Sequence, residues 1–135
     1  IISSDWSSDV CSSDLVKIFR DKKGIIKKFI IENHAPDTTL CTAISAIVFT
    51  ALISLQKKGV LNKNGSYYKE DQTNAKIELI IPPYNHFFDD QITWCNVVLE
   101  TMLIGLYAIN GEEQYRNMLE ITEEKYERVI QYDRF

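Results

Sequence analysis

The chain has no excess of positive charge. Its 135 residues include 15 lysines and arginines against 19 aspartates and glutamates, which gives a formal net charge of −4 at neutral pH. Proteins that bind nucleic acid neutralise phosphates with clustered basic side chains, and the sequence supplies no such cluster. The charge balance therefore disfavours direct binding of RNA or DNA.

Cysteine and histidine are scarce. The sequence has three cysteines and two histidines, in no spacing that is typical of a disulfide scaffold or a zinc site. We therefore expect no metal ion and no cofactor. The cysteine usage fits a reducing compartment best, so we predict a cytoplasmic protein.

Long uncharged apolar runs are also lacking, apart from residues 40–56. A membrane-spanning helix needs about 18 or more apolar residues in succession, whereas threonine and serine interrupt this run. A buried helix explains the run better, and we predict no association with a membrane.

The first fifteen residues differ in composition from the rest of the chain. Ser-Ser-Asp occurs three times among them, without any apolar period that could contribute to a core. Residues 12–15 match one translation of a common sequencing-library adapter. We predict that residues 1–15 are a non-native, disordered leader, with a natural disordered tail as the alternative, and that residues 16–135 form a single domain. Without the three aspartates of the leader the net charge is −1, so most of the apparent acidity comes from the leader.

Hydrophobic periodicity predicts the elements of this domain. Alternating apolar and polar residues predict a hairpin of strands 15–20 and 25–33 around the turn-forming residues Asp21 and Gly24. Further strands are predicted at 66–70 and 76–81, and helices at 40–58 and from a cap at Asp89 or Asp90 to about 110. The charge pairs of the C-terminal tail favour a helix at 123–131. The sum is an α+β fold, with two long helices packed on a small, mostly antiparallel β-sheet.

Cys41 and His34 are the candidate catalytic pair. Cys41 is predicted in the first turn of the first helix, where unpaired N–H groups and the helix dipole favour a thiolate over a thiol. His34 follows the second predicted strand, so the two residues would flank one strand-to-helix loop. The pair therefore predicts a nucleophile and its base, whereas a small buried cysteine and an ordinary loop histidine are the simpler alternatives. Cys95, in the middle of the second predicted helix, is interpreted as structural.

The residues around this pair resemble a known family. His34-Ala35, followed at 40–47 by Leu-Cys-Thr-Ala-Ile-Ser-Ala-Ile, resembles the signature of ribosomal-processing cysteine proteases, which couples a Gly-His-Ala turn to a Val-Cys-Ala-Ala-Val-Ser-Ala-Leu helix. The hairpin turn at 20–24 and the apolar stretch 99–108 are similar to the family as well. The chain departs from the family at Asn33, which replaces the glycine, and in a loop of only six residues between the histidine and the cysteine.

The resemblance implies a cysteine endopeptidase that acts as a homodimer. Its substrate would be the N-terminal extension of a bacterial large-subunit ribosomal protein, or a phage structural-protein precursor. His34 would take the proton of Cys41, and the backbone N–H groups of Leu40 and Cys41 would stabilise the oxyanion. The family analogy also places a strand near 118–121, against the helix favoured by the charge pairs.

Asp37, Thr38 and Thr39, which precede the cysteine, are candidates for a supporting role. Asp37 could orient the histidine or cap the helix, and Thr38 and Thr39 are further candidate caps. The alternative function is a catalytically inactive dimeric binding protein of the same fold, in which the shortened loop no longer admits a peptide.

Overall fold

The computed structural model describes residues 13–33, 37–61, 68–81 and 87–126. These residues form one five-stranded sheet and the two long helices that the sequence predicts. The elements are β1 (Asp14–Arg20), β2 (Ile26–Glu32), α1 (Thr38–Lys57), β3 (Tyr68–Asp71), β4 (Lys76–Ile80), α2 (Asp89–Asn110), a short 3₁₀ turn (Glu113–Tyr115) and β5 (Leu119–Lys125).

The strand order across the sheet is β3-β4-β2-β1-β5. Three of the four strand pairs are antiparallel, and only β5 runs parallel to its neighbour β1. A parallel neighbour needs a long crossover connection, and the segment that contains both helices supplies it. The α+β fold with a mostly antiparallel sheet is therefore confirmed.

The hairpin of β1 and β2 forms the centre of the sheet. Asp21 closes its turn, because the carboxylate Oδ1 accepts hydrogen bonds from the N–H groups of Lys23 at 2.8 Å and Ile25 at 3.0 Å. Gly24 completes the turn with a φ of +85°, a conformation that glycine adopts without steric cost. The hairpin fixes the position of the chain that leads from β2 to α1.

One face of the sheet packs against both helices and forms a single apolar core. Alternate residues of each strand point into it, as the two-residue period of a strand requires. The most completely buried apolar side chains are Val16, Ile18, Phe29, Ile31 and Leu79 from the sheet and Leu40, Ile44, Val48, Leu55, Leu99 and Leu106 from the helices.

β1 begins within the range that the sequence assigns to the leader. Asp14 and Leu15 are already part of the strand, and Asp14 pairs with Leu119 of β5. Residues 1–12 lie outside the described residues. The ordered strand therefore starts two residues earlier than residue 16, the predicted start of the domain.

The C-terminal segment is a strand, so the predicted helix at 123–131 is wrong for its first three residues. Residues 127–131 lie outside the described part of the chain. Leu119 is buried and Ile121 is packed against the core, and β5 is hydrogen-bonded along all of β1. Pairing with an open sheet edge has prevailed over local helix propensity.

The helices begin and end at recognisable signals. Gly59, with a φ of +77°, follows the end of α1 and directs its N–H to the carbonyl of Gln56 at 3.0 Å. At the start of α2 the N-cap residue is Phe88, whose N–H donates to Oε1 of Gln91 at 2.9 Å. The predicted cap at Asp89 or Asp90 is therefore wrong, and both carboxylates lie in the first turn, where the helix dipole favours them.

Both helices also carry apolar side chains that are exposed to solvent. Phe49 and Ile53 of α1 and Val97 and Ile104 of α2 are exposed. By length and composition alone each helix could cross a membrane, with mean hydropathies of 2.0 in α1 and 1.6 in α2 over 18 residues. Core helices of soluble proteins meet the same criterion, and here the opposite face of each helix is buried against the sheet. The exposed apolar face is a candidate contact surface for another polypeptide.

Candidate active site at the start of the first helix

Asp37 caps the helix that carries the candidate nucleophile. Its carboxylate Oδ1 accepts the N–H of Leu40 at 2.8 Å, and its backbone carbonyl accepts the N–H of Cys41 at 3.1 Å. Thr38 and Thr39 are exposed and form the first turn of α1 rather than the cap. Of the three candidate capping residues, Asp37 is therefore the one that caps the helix in this structure.

Cys41 lies one turn into α1 and is partly buried. Its thiol donates a hydrogen bond to Oδ2 of Asp14, with 3.8 Å between sulfur and oxygen. Asp14 is fully buried at the start of β1, and its backbone N–H donates to the carbonyl of Met118 at 2.7 Å. The sulfur is thus held at the boundary between the helix start and the central strand.

The surroundings of Cys41 favour its neutral form. Burial raises the pKa of the thiol, and the charge and hydrogen bond of the Asp14 carboxylate and the charge of Asp37 raise it further. Burial, which is the largest of these effects, and the two carboxylates therefore oppose the thiolate that the helix start favours. Because His34 lies outside the described residues, the thiolate stays a prediction.

His34 lies outside the described residues, together with Ala35 and Pro36. The described neighbours on either side are Asn33, whose N–H donates to the carbonyl of Ala75 at 2.9 Å, and the capping residue Asp37. The two ends of the loop are thus fixed to the sheet and to the helix. The meeting of His34 with Cys41 stays a prediction.

The two N–H groups that the sequence assigns to an oxyanion site are both hydrogen-bonded within the chain. Leu40 donates to the Asp37 side chain and Cys41 to the Asp37 carbonyl. They form no open oxyanion site in this structure. An oxyanion could take the Leu40 N–H only if the Asp37 carboxylate moved away from it.

Two shallow cavities lie beside this helix start. One, of about 400 Å³, is lined by Thr38, Thr39, Thr42, Ala43 and Ala46. The other, of about 200 Å³, lies between α1 and the β3-β4 hairpin, and Asn33 forms part of its wall. The amide oxygen of Asn33 is buried and has no hydrogen-bond partner among the described residues. Cys41 lines neither cavity, so the two cavities describe the surface of α1 and of the β3-β4 hairpin and not a cleft at the sulfur.

Cys95 has the properties of a structural cysteine. It is almost fully buried in α2, and burial raises the pKa of its thiol to about 11. A thiol of this kind is largely unreactive at neutral pH. In the part of the chain that the structure describes, no group of three or more histidine, cysteine, aspartate or glutamate side chains is arranged to hold a metal ion.

Asp14 is the residue near the site that the sequence reasoning missed. It was assigned to the leader because of the repeated Ser-Ser-Asp, although it shares a strand face with Val16 and Ile18. The two-residue alternation extended backwards from these buried positions would have placed it inside the fold.

The cap supplies a first prediction, which concerns stability. Replacing Asp37 with alanine should lower the free energy of unfolding by about 1 kcal/mol, because the Leu40 N–H loses its acceptor. Asn is an equally good N-cap, so Asp37→Asn should cost much less. Urea denaturation of the two variants beside the parent chain measures the difference. Equal losses for alanine and asparagine would show that the charge, rather than the cap, is what stabilises the helix.

The family model that matches the chain is that of cysteine protease Prp, and the match covers residues 15–120. A comparison with curated proteins finds no match.

Solved structures with a similar fold include the essential ribosomal processing protease Prp from Staphylococcus aureus in complex with a covalently linked product peptide. It is 20% identical with a TM-score of 0.62, over 82% of this chain and 99% of that chain. The same protease in complex with a substrate peptide is 17% identical, with a TM-score of 0.62 and the same coverage. A Streptococcus mutans protein is 13% identical with a TM-score of 0.63, over 85% of this chain and 100% of that one. The TM-scores show a shared fold, and at these low identities the likeness to the solved structures shows the fold alone.

Proposed function

Since the chain belongs to the family of cysteine protease Prp, we propose that it is an endopeptidase that removes the N-terminal extension of a bacterial large-subunit ribosomal protein. Cys41 is the nucleophile and His34 the base. The observation that carries the proposal is the family match, because it spans both residues, both helices and three of the five strands completely. The reaction takes place in the cytoplasm and needs no cofactor, metal ion, membrane or direct contact with nucleic acid.

The proposed reaction forms and hydrolyses a thioester. His34 removes the proton from Cys41, and the thiolate adds to the scissile carbonyl of the peptide. The histidine then returns the proton to the departing amine, and water releases the acyl group. Since burial and Asp14 raise the pKa of the thiol, the chain depends on this base more strongly than a site with a preformed thiolate does.

The oxyanion of the tetrahedral intermediate needs N–H donors at the start of α1. We propose Leu40 and Cys41 for this role. When substrate binds, the carboxylate of Asp37 moves away from the Leu40 N–H, and the Cys41 N–H turns from the backbone carbonyl of Asp37 to the oxyanion. Orienting the histidine is a second role for this carboxylate once it has left the cap. The cost of the movement is small, since a helix cap contributes only about 1 kcal/mol.

The substrate is proposed from the relatives. The S. aureus protease has been solved with a product peptide and with a substrate peptide, and it is a ribosomal processing protease. A phage structural-protein precursor is the other substrate of this chemical class.

Peptide cleavage tests the substrate directly. The chain should be incubated with peptides that span the N-terminal extensions of large-subunit ribosomal proteins, with phage precursor peptides, and with scrambled peptides of the same composition. The proposal requires cleavage at one site in a ribosomal extension and none in its scrambled control. Cleavage of the phage peptides alone would transfer the activity to that substrate, and cleavage of scrambled peptides at equal rates would contradict a processing function.

A catalytically inactive binding protein is the second candidate function. The raised pKa of the thiol and the two occupied N–H groups favour it. It predicts that the same ribosomal peptides bind but stay intact. Measuring binding and product formation on one peptide separates the two candidates.

We also propose a homodimer that forms through the exposed faces of α1 and α2. A groove of about 550 Å³ between the helices is lined almost entirely by apolar or small side chains, among them Ile47, Val97, Val98 and Met102. Gly105 and Ile47 face each other in this groove. A Cβ at position 105 would lie 3.2 Å from Cδ1 of Ile47, so the glycine permits the two helices to pack closely here. Burial of such a face against a second copy is a common solution to an exposed apolar patch.

The dimer can be tested with a charge in the groove. Val97 is 55% exposed, so Val97→Glu should leave the fold intact and weaken dimerisation by about tenfold or more, because the new carboxylate would lose water at the interface. Sedimentation velocity over a concentration series measures the effect. Gln72→Glu, on the exposed turn between β3 and β4, is the matched control. A parent chain that remains monomeric at high concentration would contradict the proposal.

A further inference from the structure

A backbone hydrogen bond at the end of β2 lies next to the proposed base. The register between β2 and β4 ends with the pair Glu32 and Lys76. One residue beyond it, the N–H of Asn33 donates to the carbonyl of Ala75 at 2.9 Å. Asn33 is joined directly to His34. Since consecutive Cα atoms are about 3.8 Å apart, this bond restricts where the backbone of His34 can lie.

The side chain of Asn33 does not fix the residue in the same way. Its amide oxygen is buried and has no hydrogen-bond partner among the described residues. A buried acceptor without a partner costs stability and adds no restraint. The backbone bond to Ala75 is therefore the contact that matters for the position of Asn33.

Ala75 presents its carbonyl from a strained backbone conformation. Its φ is +51°, and within residues 13–33, 37–61, 68–81 and 87–126 no other residue except glycine has a positive φ. The Cβ atom makes this left-handed region unfavourable for alanine. Such a conformation persists only where neighbouring contacts hold it.

Asp71 supplies these contacts from the end of β3. Its Oδ1 accepts the N–H of Asn74 at 3.2 Å, and its Oδ2 accepts Nδ2 of the same residue at 2.6 Å. The side-chain bond and the backbone bond from Asn74 lower the pKa of the Asp71 carboxyl, so the carboxylate is charged at neutral pH. The N–H of Ala75 donates to the carbonyl of Gln72 at 3.3 Å. The residue before Ala75 and the N–H of Ala75 itself are thus both held.

We propose that the turn at 72–75, between β3 and β4, positions the base His34, and that Asp71 is the residue that holds this turn. Asp71 is a positioning residue, because it acts through Ala75 and Asn33 and touches no substrate. The inference rests on the proposed function in taking His34 to be the base. Without the Asp71 carboxylate, Ala75 can leave the left-handed region, and its carbonyl then turns away from Asn33.

The position of the base affects the chemical step. A general base must lie within hydrogen-bonding reach of the proton that it removes. A misplacement of about 1 Å can cost up to about 10²-fold in rate, even when its cause lies far from the reacting atoms. Release of the turn should therefore lower kcat, whereas KM should change little because the turn acts through the base and not through substrate binding.

The first test compares kcat and KM of peptide cleavage in variants of the full chain. Asp71→Ala should lower kcat by about tenfold and leave KM within about twofold of the parent value. Asp71→Asn should restore most of the rate, since asparagine keeps an acceptor for the N–H of Asn74. Asp21→Ala is the matched control, because the Asp21 carboxylate closes the turn at the other end of β2. Its kcat should stay close to that of the parent chain.

A second pair of variants changes Ala75 itself. Ala75→Gly should keep the parent rate, because glycine adopts a positive φ without steric cost. Ala75→Val should resemble Asp71→Ala, because a β-branched side chain strongly disfavours the left-handed region. Circular dichroism shows whether each variant is folded, and the Ala75 pair still decides the question if Asp71→Ala unfolds.

Amide hydrogen exchange and NMR test the positioning without any substrate. The N–H of Asn33 should exchange about tenfold faster or more in Asp71→Ala and in Ala75→Val than in the parent chain, and the imidazole resonances of His34 should shift. Asp21→Ala should leave both unchanged. If the parent chain cleaves no peptide, the proposed function fails, whereas these two measurements still decide the role of the turn.

Three results would overturn the proposal. One is a folded Asp71→Ala chain with the kcat of the parent. Another is a loss of kcat that is equally large in Asp21→Ala, which would make the effect one of general stability. The third is unchanged exchange at Asn33 in folded Asp71→Ala and Ala75→Val.

Discussion

Replacing Cys41 with alanine is expected to abolish peptide cleavage, with a loss of at least about 10³-fold in kcat. The reason is chemical, since alanine has no atom that can form the thioester. The Sγ atom touches Asp14 at the edge of the core but is only partly buried, so the fold should survive its removal. The measurement is the initial rate of product formation from a ribosomal extension peptide. Cys41→Ser should also be strongly impaired, because a hydroxyl is a much weaker nucleophile at neutral pH.

The chain offers a matched control in its second described cysteine. Cys95 is 1% exposed in α2 and far less acidic than a catalytic thiol. Cys95→Ala should therefore keep cleavage close to the parent rate while it lowers stability through the lost packing. Cleavage that survives in Cys41→Ala but disappears in a folded Cys95→Ala would place the nucleophile on α2 and contradict the assignment to Cys41.

The second large effect concerns stability. Replacing Phe29 with alanine should lower the free energy of unfolding by about 3–5 kcal/mol. Phe29 has no exposed surface, and it lies in the middle of β2 between Ile18 of β1 and Leu79 of β4. The side chain fills the space between the centre of the sheet and the helices, and β2 holds its backbone in place, so the cavity cannot close. Urea denaturation measures the loss.

Phe49 is the control for this substitution. It is also a phenylalanine, but it lies on α1 at the shallow cavity that faces the β3-β4 hairpin, and it is 37% exposed. Phe49→Ala should cost well under half as much, because it removes less buried surface and leaves no enclosed cavity. Equal losses at the two positions would contradict the placement of the core between the sheet and the helices.

Much of the fold follows from local patterns in the sequence. The first hairpin, both helices and β4 are where periodicity places them to within about two residues, because each carries a regular apolar face and a clear end signal such as Gly24 or Gly59. The long, mostly apolar run at 40–56 predicts the first helix. Its actual start at Thr38 is set by the Asp37 cap, two residues before the predicted one.

The remaining features depend on contacts between distant parts of the chain. The charge pairs after Leu119 are equally compatible with a helix. Only the parallel pairing with β1 makes this segment a strand. The alternation of β1 indicates that Asp14 faces the core, whereas its contact with Cys41 depends on how α1 packs on the sheet and does not follow from neighbouring residues in the sequence. The pKa of Cys41 depends on such contacts too: a helix start favours a lowered value, whereas burial and two carboxylates from different elements raise it.

The most direct test of the account is to trap the covalent intermediate. The chain is mixed with the ribosomal extension peptide, quenched in acid within seconds, and mapped by mass spectrometry. The account predicts a thioester between the N-terminal product and the peptide that contains Cys41, and no adduct in Cys41→Ala. Cleavage that proceeds in Cys41→Ala, or an acyl adduct that forms on Cys95 instead, would contradict it.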